Sequence, residues 1–571
     1  MQGVLPTDLK SPRLTGWSSV AAGHRRVLLL LWAIFLLRAG FYLSFTPLWE
    51  GFDEHSHFAC IQLMSVEGRL PVAARDRISQ EIYSSLKLAP LPWQPGGFGI
   101  GLTHDDYWKL SEAERNERET RLRALDPSLG RTQIAADPRN PFLYLYEAQH
   151  PPLYPALCLI PYRLASRLNL IDRVFVIRAF SVLLVSAVIP LAYFVLRRFL
   201  EDVQALLVVW IMAFLPGLMF DVVRVGNDSL AVLLFTLLVL LCIRGGTSSV
   251  QALMVGLVLG LGLLTKISLL TAVIPVGVAL LLPLGGNRTL GTRLGDFGLA
   301  SLGAVAISAW WYLLNYFTTG NWTGLYFNAA IHDWSVKQAA LSVDWPNAFK
   351  AILCSHVWFG NWSFLKLRGW MYQLAMIAFM VGIVGAVLRL ARDFRRSEPN
   401  RYSFLVAMLF YAFFWLGLGY YMLLTYVATG VSATGGWYLN ISIACELLVL
   451  FAGLTLLSNP LATRVVGGVA LGATMIDLYG VFFLLIPYYT GFISHDARGS
   501  LSSFKPWTLT LVDYSEMVSR LTVNKPGLMT RGYFLGAAAL FLLIGIGSVA
   551  AAVRFLLDRR GFFKAAPRIS A

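Results

Sequence analysis

The chain has 571 residues, of which 57% are hydrophobic and only 14% are charged. So few charges cannot cover the surface of the roughly three or four soluble domains that this length would otherwise suggest. The formal net charge of +15 is compatible with a nucleic-acid partner. Lys and Arg, however, occur in short segments between apolar runs, on alternate loops. This alternation is the positive-inside pattern of a membrane protein, and it excludes a nucleic-acid footprint.

Apolar segments recur along the chain, and several contain about 20 residues, which matches the roughly 30 Å hydrocarbon core of a bilayer. No small-residue cleavage site follows the first segment, so we interpret it as an uncleaved span and not as a signal peptide. We predict an all-α polytopic membrane protein with about 12 transmembrane helices (about 11–13). The predicted spans are 27–46, 174–196, 203–222, 229–244, 250–264, 268–284, 297–317, 371–391, 402–424, 437–457, 464–487 and 532–556.

The basic segments place both termini in the cytoplasm and three long loops outside. We predict a cytoplasmic N-terminus (1–26), a catalytic transmembrane module (27–400), C-terminal helices (401–556) and a cytoplasmic tail (557–571). The large first outer loop is 47–172, and the others are 318–370 and 488–531. Within the first loop, 151–168 is apolar but short and Pro-rich, which predicts an interfacial helix. The charged segment 109–125 predicts a solvated helix.

A dense polar cluster follows the first span and contains Glu50, Asp53, Glu54, His55 and His57. Charged groups at the membrane boundary are costly to desolvate, so their presence indicates a function. If the chain is helical after Asp53, then Asp53 and His57 lie on one helical face. Such a pair can accept a proton from a hydroxyl group or bind a divalent ion. The alternative is structural, with the carboxylate of Asp53 capping a helix.

A second cluster occurs at 144–154, where Glu147 and His150 precede a pair of prolines. The prolines fix the backbone at the start of the predicted interfacial helix. Glu147 and His150 would therefore lie near the membrane surface. The alternative is an interfacial turn with an aromatic belt and no chemistry of its own.

Polar residues also lie in two short turns between predicted spans. Arg224, Asn227 and Asp228 fill one turn, and Lys266 fills the other. They are suited to capture a lipid-linked phosphate, although lone cations at membrane ends often contact headgroups only. In the second outer loop, Trp311 and Asn315 begin an aromatic and amide-rich segment that ends near Arg368. Sugars stack on such rings, but an aromatic belt has the same composition.

At these residues the chain resembles the GT-C superfamily of polytopic glycosyltransferases, and in particular the bacterial membrane family described as DUF2142. The resemblance covers roughly residues 27–330. The motifs that carry it are Asp-Glu-x-x-His at Asp53, Glu54 and His57, the segment His150–Tyr154, the pair Asn227/Asp228, the segment Gly260–Lys266, and the segment Trp311–Gly324.

One motif departs from the family pattern. The family often has Gln-Gly-Arg-Tyr at the outer start of a late span, where this chain has Thr434–Tyr438 without the arginine. If that arginine binds donor phosphate in relatives, the role would pass to Lys266, Arg368 or Arg531 here.

The resemblance implies that the protein transfers a hexosyl or pentosyl group from a polyprenyl-phosphate donor with inversion at the anomeric carbon.

 The acceptor would be an extracytoplasmic glycan, lipid or protein of the cell envelope, on the outer face of a bacterial plasma membrane. Asp53 would act as the base for the acceptor hydroxyl. Glu54 and Glu147 would orient the acceptor or, together with Asp53, hold Mg²⁺ or Mn²⁺, and His57 and His150 would assist.

The resemblance also suggests roles for the remaining polar residues. Lys266, Arg224 and Arg368 would bind the donor phosphate. The sugar or the acceptor would contact the residues Glu50, His55, Asn227, Asp228, Trp311 and Asn315. Two other functions stay open on the sequence, a transporter or flippase of lipid-linked glycans and a non-catalytic membrane scaffold. A transporter would carry ionisable residues near the bilayer midplane, often in two repeated halves.

Overall fold

The computed structural model describes residues 20–557 apart from 74, 94–98, 136–139, 141–142, 245–247, 285–287, 324–334, 433 and 497. Residues 1–19 and 558–571 of the predicted cytoplasmic segments therefore lie outside the described residues, as does the end of the Trp311–Gly324 motif. Within the described part, the chain is helical, and extended pairing is limited to isolated bridges such as Arg77 with Tyr144. The all-α prediction is confirmed.

The α-helices, numbered here in chain order, are α1 Ala22–Phe45, α2 Glu54–Glu67, α3 Gln80–Leu88, α4 His104–Tyr107, α5 Glu112–Arg123, α6 Leu153–Leu164, α7 Leu170–Ser186, α8 Val188–Leu196, α9 Asp202–Ala213, α10 Pro216–Val222, α11 Asp228–Ile243, α12 Ser249–Leu263, α13 Val273–Leu281, α14 Leu290–Thr319, α15 Val336–Ser342, α16 Trp345–Val357, α17 Gly369–Arg395, α18 Arg401–Thr429, α19 Ile443–Ala452, α20 Asn459–Tyr479, α21 Ile486–Tyr489, α22 Leu511–Leu521 and α23 Arg531–Leu557.

Eight helical segments within the described residues are long and apolar enough to cross a membrane, and α9 with α10 forms a ninth if this pair, bent by 60°, is one span. Three more predicted spans correspond to shorter apolar helices: α11, α12, and the segment Ile267–Leu281 that contains α13. Every predicted span therefore has a helical counterpart. The multi-pass architecture is confirmed, whereas the count of 12 spans stays a prediction.

Small residues allow α12 and α14 to pack closely. A Cβ atom added to Gly256 would lie 2.1 Å from the carbonyl oxygen of Ala300, and one added to Gly260 would lie 2.9 Å from that of Ala304. Since apolar surface gains little by leaving lipid, close backbone contact is a main source of helix association in membranes. This packing fixes the end of α12, from which the chain continues to Lys266.

A buried ion pair links α1 to α20. The guanidinium of Arg38, the one charge within the first predicted span, pairs with the carboxylate of Asp477 and donates a hydrogen bond to the carbonyl oxygen of Ala213. The hydroxyl of Tyr42 donates to the same carboxylate at 2.7 Å. Arg38 and Asp477 are 1% and 0% exposed, so each charge depends on the other for compensation.

The substitution Asp477→Ala should lower the free energy of unfolding by about 3–5 kcal/mol, because it leaves the Arg38 charge buried without its partner. Thermal denaturation of the purified protein in detergent measures the loss. The double substitution Arg38→Met with Asp477→Leu removes both charges and is the matched control. It should be more stable than Asp477→Ala alone, and an equally unstable double variant would contradict the assigned pairing.

Three long loops meet at one end of the helical bundle. The indole ring of Trp362 in the second loop packs edge-on against the ring of Phe52 in the first loop, with the two ring centroids 5.1 Å apart. The imidazole Nδ1 of His495 lies 2.9 Å from Asp105, joining the third loop to the first. The predicted placement of the three loops on one face agrees with these contacts. Which side of the membrane this face occupies stays a prediction.

The first long loop carries the two helices that sequence patterns predict. The interfacial segment forms α6, which is too short to count as a span and packs against α2 and α7. The charged segment forms α5, which begins with a capping box between Ser111 and Glu114 and buries only Leu122. Together, α2 and α6 bring the two predicted polar clusters of this loop next to each other.

Candidate functional site

The turn before α2 holds Asp53 in a left-handed backbone conformation, with φ of 56°. Its side chain makes no capping hydrogen bond to the helix, so this carboxylate does not cap α2 as the structural alternative predicts. Instead, its Oδ1 accepts a hydrogen bond of 2.8 Å from the hydroxyl of Tyr146 in the second cluster. Left-handed conformations at residues other than glycine often occur at functional sites. The carboxylate of Asp53 is therefore free of the helix terminus and directed towards the second cluster.

Glu54 is fully buried and is held on all sides. Its two oxygens accept hydrogen bonds from Arg178 Nε at 2.7 Å and Nη2 at 2.6 Å, and Oε1 also accepts one from the backbone amide of Val225 at 3.0 Å. Arg178 in turn donates to the carbonyl oxygens of Thr46 and Pro47 at 2.9 and 2.7 Å. A bidentate pair of this kind fixes geometry. It anchors the turn that carries Asp53 to α7.

Glu147 lies between two imidazoles. Its Oε2 is 3.2 Å from Nε2 of His57 and 3.4 Å from Nε2 of His150. The short helical turn Tyr146–Gln149 positions Glu147, and Pro151 and Pro152 then direct the chain into α6. Asp53 joins this cluster through its hydrogen bond with Tyr146, the residue directly before Glu147. The structure thus brings together four of the five residues predicted as catalytic, namely Asp53, His57, Glu147 and His150.

Burial governs the charge states of these groups. Burial raises the pKa of Glu147 well above its usual value, and the nearby charge of Asp53 raises it further, against the opposing charges of Lys266 and Arg224. Burial also lowers the pKa of His57, with a smaller contribution from Arg224. The pKa of His150 falls to about 3 for the same reason, assisted by Lys266. Burial therefore shifts all three groups towards their neutral forms.

A chain of alternating charges borders this cluster. Arg224 Nη2 donates to Asp221 at 2.9 Å and to Asp228 at 2.5 Å, and the ammonium of Lys266 pairs with the other oxygen of Asp228. Lys266 also lies over the ring of Tyr438, 5.1 Å from its centroid. Two cations and two carboxylates are thus balanced within a buried network, as the cost of burying charge requires.

Arg224 has little freedom to bind a ligand. Its Nη1 donates to the carbonyl oxygen of Phe52 at 2.6 Å. The aliphatic part of its side chain packs against Gly51, where an added Cβ atom would lie 2.6 Å from the Cβ of Arg224. The backbone at Gly51 and Phe52, directly before Asp53, therefore packs against the side chain of Arg224. The Phe52 ring, in addition, stacks on Trp437 with centroids 4.0 Å apart at 16°. Trp437 lies in the segment Thr434–Tyr438, which lacks the arginine that the resemblance predicts there.

A narrow cleft of about 20 Å³ opens beside Glu147. It is lined by His57, His150, Asn227 and Trp311 together with apolar residues of α2 and α6, among them Met64, Pro152 and Pro155. The cleft lies between the two predicted clusters and the turn at Asn227. Its volume is enough for about one water molecule in contact with residues from all three.

Some predicted residues lie elsewhere. Glu50 pairs with His104, with 3.0 Å between Oε2 and Nε2. His55 packs its ring against that of Tyr146 at 6.1 Å. Arg368 is exposed at the start of α17 and donates to the hydroxyl of Tyr479 at 3.4 Å. The contacts of the described residues do not join Arg368 to Lys266.

Two residues of the site escaped the sequence analysis, Arg178 and Asp221. Each is a charged residue within an apolar helical segment, which is a signal of function or pairing that the sequence already carried. Arg531, considered as a substitute for the missing arginine, donates to the hydroxyl of Ser519 at 2.6 Å and begins α23.

The residues that could bind a metal do not fit one in this arrangement. Glu54 has both oxygens engaged by Arg178, and within the described part of the chain no group of three or more His, Cys, Asp or Glu side chains is arranged to hold an ion. The predicted ligand set of Asp53, Glu54 and Glu147 is therefore divided between separate partners. We derive no step through Mg²⁺ or Mn²⁺.

Residues 149–313 match the family described as dolichyl-phosphate-mannose-protein mannosyltransferase. The match covers less than a third of the chain. It includes His150, Lys266 and Trp311, and it ends before the second long loop. No curated protein matches the sequence.

The fold is similar to those of two solved membrane proteins. ArnT from Cupriavidus metallidurans bound to undecaprenyl phosphate is 13% identical with a TM-score of 0.43, over 93% of this chain and 74% of that one. The apo oligosaccharyltransferase of Archaeoglobus fulgidus is 11% identical with a TM-score of 0.39, over 93% of this chain and 56% of that one. The partial family match supports the resemblance to the GT-C class of membrane glycosyltransferases. The narrower resemblance to the DUF2142 family stays a prediction.

The substitution Glu147→Gln tests the protonation of the cluster. A carboxyl group whose pKa is raised by folding stabilises the native state below the unfolded pKa of about 4.3, and this contribution is lost as pH rises towards the folded pKa. The amide cannot ionise, so the variant should gain melting temperature relative to the wild type as pH rises from 5 to 8. The exposed substitution Glu117→Gln should show no such trend. A difference independent of pH would contradict the raised pKa.

Proposed function

We propose that this protein is a membrane glycosyltransferase that moves a sugar from a polyprenyl-phosphate donor to a hydroxyl group of a cell-envelope acceptor. The observation that carries the proposal is the convergence of a carboxylate, Asp53, and an ammonium group, Lys266, on the cluster around Glu147, whose pKa both charges influence. The match of residues 149–313 to a family described by its dolichyl-phosphate-mannose donor supports the same reaction class. The site would face the outside of a bacterial plasma membrane.

The proposed reaction is a single displacement at the anomeric carbon. The carboxylate of Asp53 takes the proton of the acceptor hydroxyl as the acceptor oxygen forms its bond to the anomeric carbon. The bond between that carbon and the phosphate oxygen breaks, and its electron pair leaves with polyprenyl phosphate. The products are the glycoside with inverted configuration and polyprenyl phosphate, and the proton on Asp53 returns to solvent.

Lys266 is the better candidate for the leaving phosphate. Its ammonium group has three N–H donors, of which the pairing with Asp228 needs one. Both Nη atoms of Arg224 are already engaged, by Phe52, Asp221 and Asp228. We therefore assign to Arg224 the positioning of the Asp53 turn and of Asp228. Lys266 would stabilise the negative charge that develops on the phosphate.

Glu54 acts, in this proposal, through Asp53. Its bidentate pair with Arg178 holds the first residue of α2 in place, so the adjacent Asp53 is presented in its left-handed conformation. Preorganised geometry of this kind lowers the cost of bringing base and acceptor together. The assignment replaces the predicted role of Glu54 as an acceptor or metal ligand with a positioning role.

The substitution Asp53→Asn tests the base. It preserves shape and the hydrogen bond from Tyr146 but cannot accept a proton, so kcat should fall by about 10²–10⁴-fold. The measurement is transfer of radiolabelled sugar from polyprenyl-phosphate donor to endogenous acceptors in membrane vesicles. Asp106→Asn, an exposed change in the same loop, is the matched control and should retain activity. Turnover by Asp53→Asn at the wild-type rate would remove Asp53 as the base.

The substitution Lys266→Gln tests the phosphate contact. Loss of a charge-assisted hydrogen bond of about 1.5–3 kcal/mol should lower kcat/KM for the donor by roughly 10–150-fold. Part of the loss should appear in kcat, because the charge on the leaving group grows in the transition state. Lys109→Gln, an exposed lysine of the first loop, is the control. An unchanged kcat/KM in Lys266→Gln would exclude the contact.

A further inference from the structure

A lysine of the third long loop, Lys525, reaches the end of α1 and is 3% exposed. Its Nζ donates a hydrogen bond of 2.5 Å to the carbonyl oxygen of Thr46, the residue directly after α1. The same carbonyl oxygen accepts a hydrogen bond of 2.9 Å from Nη1 of Arg178. Thr46 begins the turn that carries Asp53. Two cationic side chains, from different parts of the chain, therefore hold the start of that turn.

The first long loop fixes the backbone around Lys525. Nη2 of Arg123, at the end of α5, donates to the carbonyl oxygen of Lys525 at 2.8 Å. The backbone amide of Asn524 donates to Oε1 of Glu119, also in α5, at 3.4 Å. Asn524 has a φ of 55°, a left-handed conformation that costs free energy in residues other than glycine. The side chain of Lys525 is thus presented to Thr46 by a backbone that α5 holds in place.

The Lys525 amine has no counter-charge of its own. Among the described residues, no carboxylate forms an ion pair with its Nζ, and both oxygens of the nearby Glu54 are bound by Arg178. Nζ lies 5.3 Å from the centroid of the Phe175 ring, and the guanidinium carbon of Arg178 lies 4.9 Å from the same centroid. Two cationic groups therefore share one ring and one carbonyl oxygen, and like charges this close repel each other.

Lys525 should lower the stability of the folded protein. Burial lowers the pKa of its amine well below the usual value, and Arg178 lowers it further, against the opposing charges of Glu54 and Glu50. Folding must therefore either bury an unpaired charge or remove a proton, and both are costly. The carbonyl oxygen of Thr46 does not require this amine, since Arg178 already donates to it. A residue that costs stability without a structural need indicates a function.

We infer that Lys525 is a positioning residue of the proposed site and holds the start of the turn that carries Asp53. Arg178 holds the same start and, through Glu54, the end of the turn. Two donors on the Thr46 carbonyl oxygen leave the turn less freedom to move than one donor would. The inference rests on the proposed function, because Lys525 acts through the proposed base. It adds the third loop to the elements that orient this base.

The substitution Lys525→Met tests the cost in stability. Methionine is of similar length and uncharged, so the variant should be at least as stable as the wild type at pH 7. Because the folded pKa of Lys525 lies below the unfolded value of about 10.4, the wild type gains stability as pH rises towards that value. The advantage of the variant should therefore shrink between pH 7 and pH 10. Thermal denaturation in detergent measures it, and a lower melting temperature of Lys525→Met at pH 7 would overturn the inference.

Hydrogen exchange of the same variant reports on the turn itself. The backbone amides of Glu50 and Glu54 donate to the carbonyl oxygens of Pro47 and Gly51 within it. Loss of one hydrogen bond at the start of the turn should make these amides exchange about 2–10-fold faster. Amides of α17, away from the turn, should exchange at the wild-type rate. The matched control for both measurements is Lys505→Met, because Lys505 is an exposed lysine of the same loop.

Sugar transfer in membrane vesicles gives the functional readout. Lys525→Met should lower kcat by about 10–100-fold, because small displacements of a catalytic group are costly. The KM for the donor should not change, since Lys525 does not contact the donor in the proposed reaction. A variant that is as stable as the wild type and yet slower distinguishes positioning from a structural role.

The inference and the proposed function fail in different ways. Wild-type exchange in the turn, or a wild-type kcat, in Lys525→Met would overturn the inference and leave the proposed function standing. No transfer by folded wild-type protein from polyprenyl-phosphate donors would overturn the proposed function. Hydrogen exchange would then still decide whether Lys525 holds the turn.

Discussion

The buried pair between Glu54 and Arg178 is the interaction on which the geometry of the site depends. Both side chains are fully buried, and removal of either would leave a charge without compensation, at a cost of about 3–5 kcal/mol. The pair joins the first helix after the membrane boundary to α7, and Arg178 reaches back to the carbonyl oxygens at the end of α1. The turn between α1 and α2 is thus attached at both ends. Asp53 lies in that turn, with its backbone in the left-handed conformation.

Charge balance explains how so many ionisable groups can occupy one buried region. Arg224 and Lys266 are neutralised by Asp221 and Asp228. Burial favours the neutral forms of Glu147 and His150. In the proposed reaction, a phosphate that approached Lys266 would have to compete with Asp228 for the ammonium group, which would favour release of polyprenyl phosphate after transfer.

Much of the fold could be predicted from hydropathy, since each apolar segment became a helix and the long loops met at one end. The polar clusters around Asp53 and Glu147 were also visible, because charged residues at a membrane boundary stand out against apolar flanks. Their partners were harder to predict. Arg178 lies more than a hundred residues from Glu54 in the sequence, and no periodicity relates the two. Tertiary contacts alone decide that Glu54 is anchored by Arg178 and that Glu147 lines the cleft.

The indole ring of Trp437 fixes the backbone beside the candidate site by packing alone. Trp437 stacks on Phe52 and lies nearly parallel to Phe359, with centroids 6.3 Å apart at 25°. An aromatic ring here fixes the residue before Asp53 by dispersion and adds no charge. In the proposed reaction, the phosphate would then be bound by Lys266, whose charge is already shared with Asp228. The tryptophan would hold the turn that carries the proposed base, and the leaving group would be stabilised by a single, partly neutralised ammonium group.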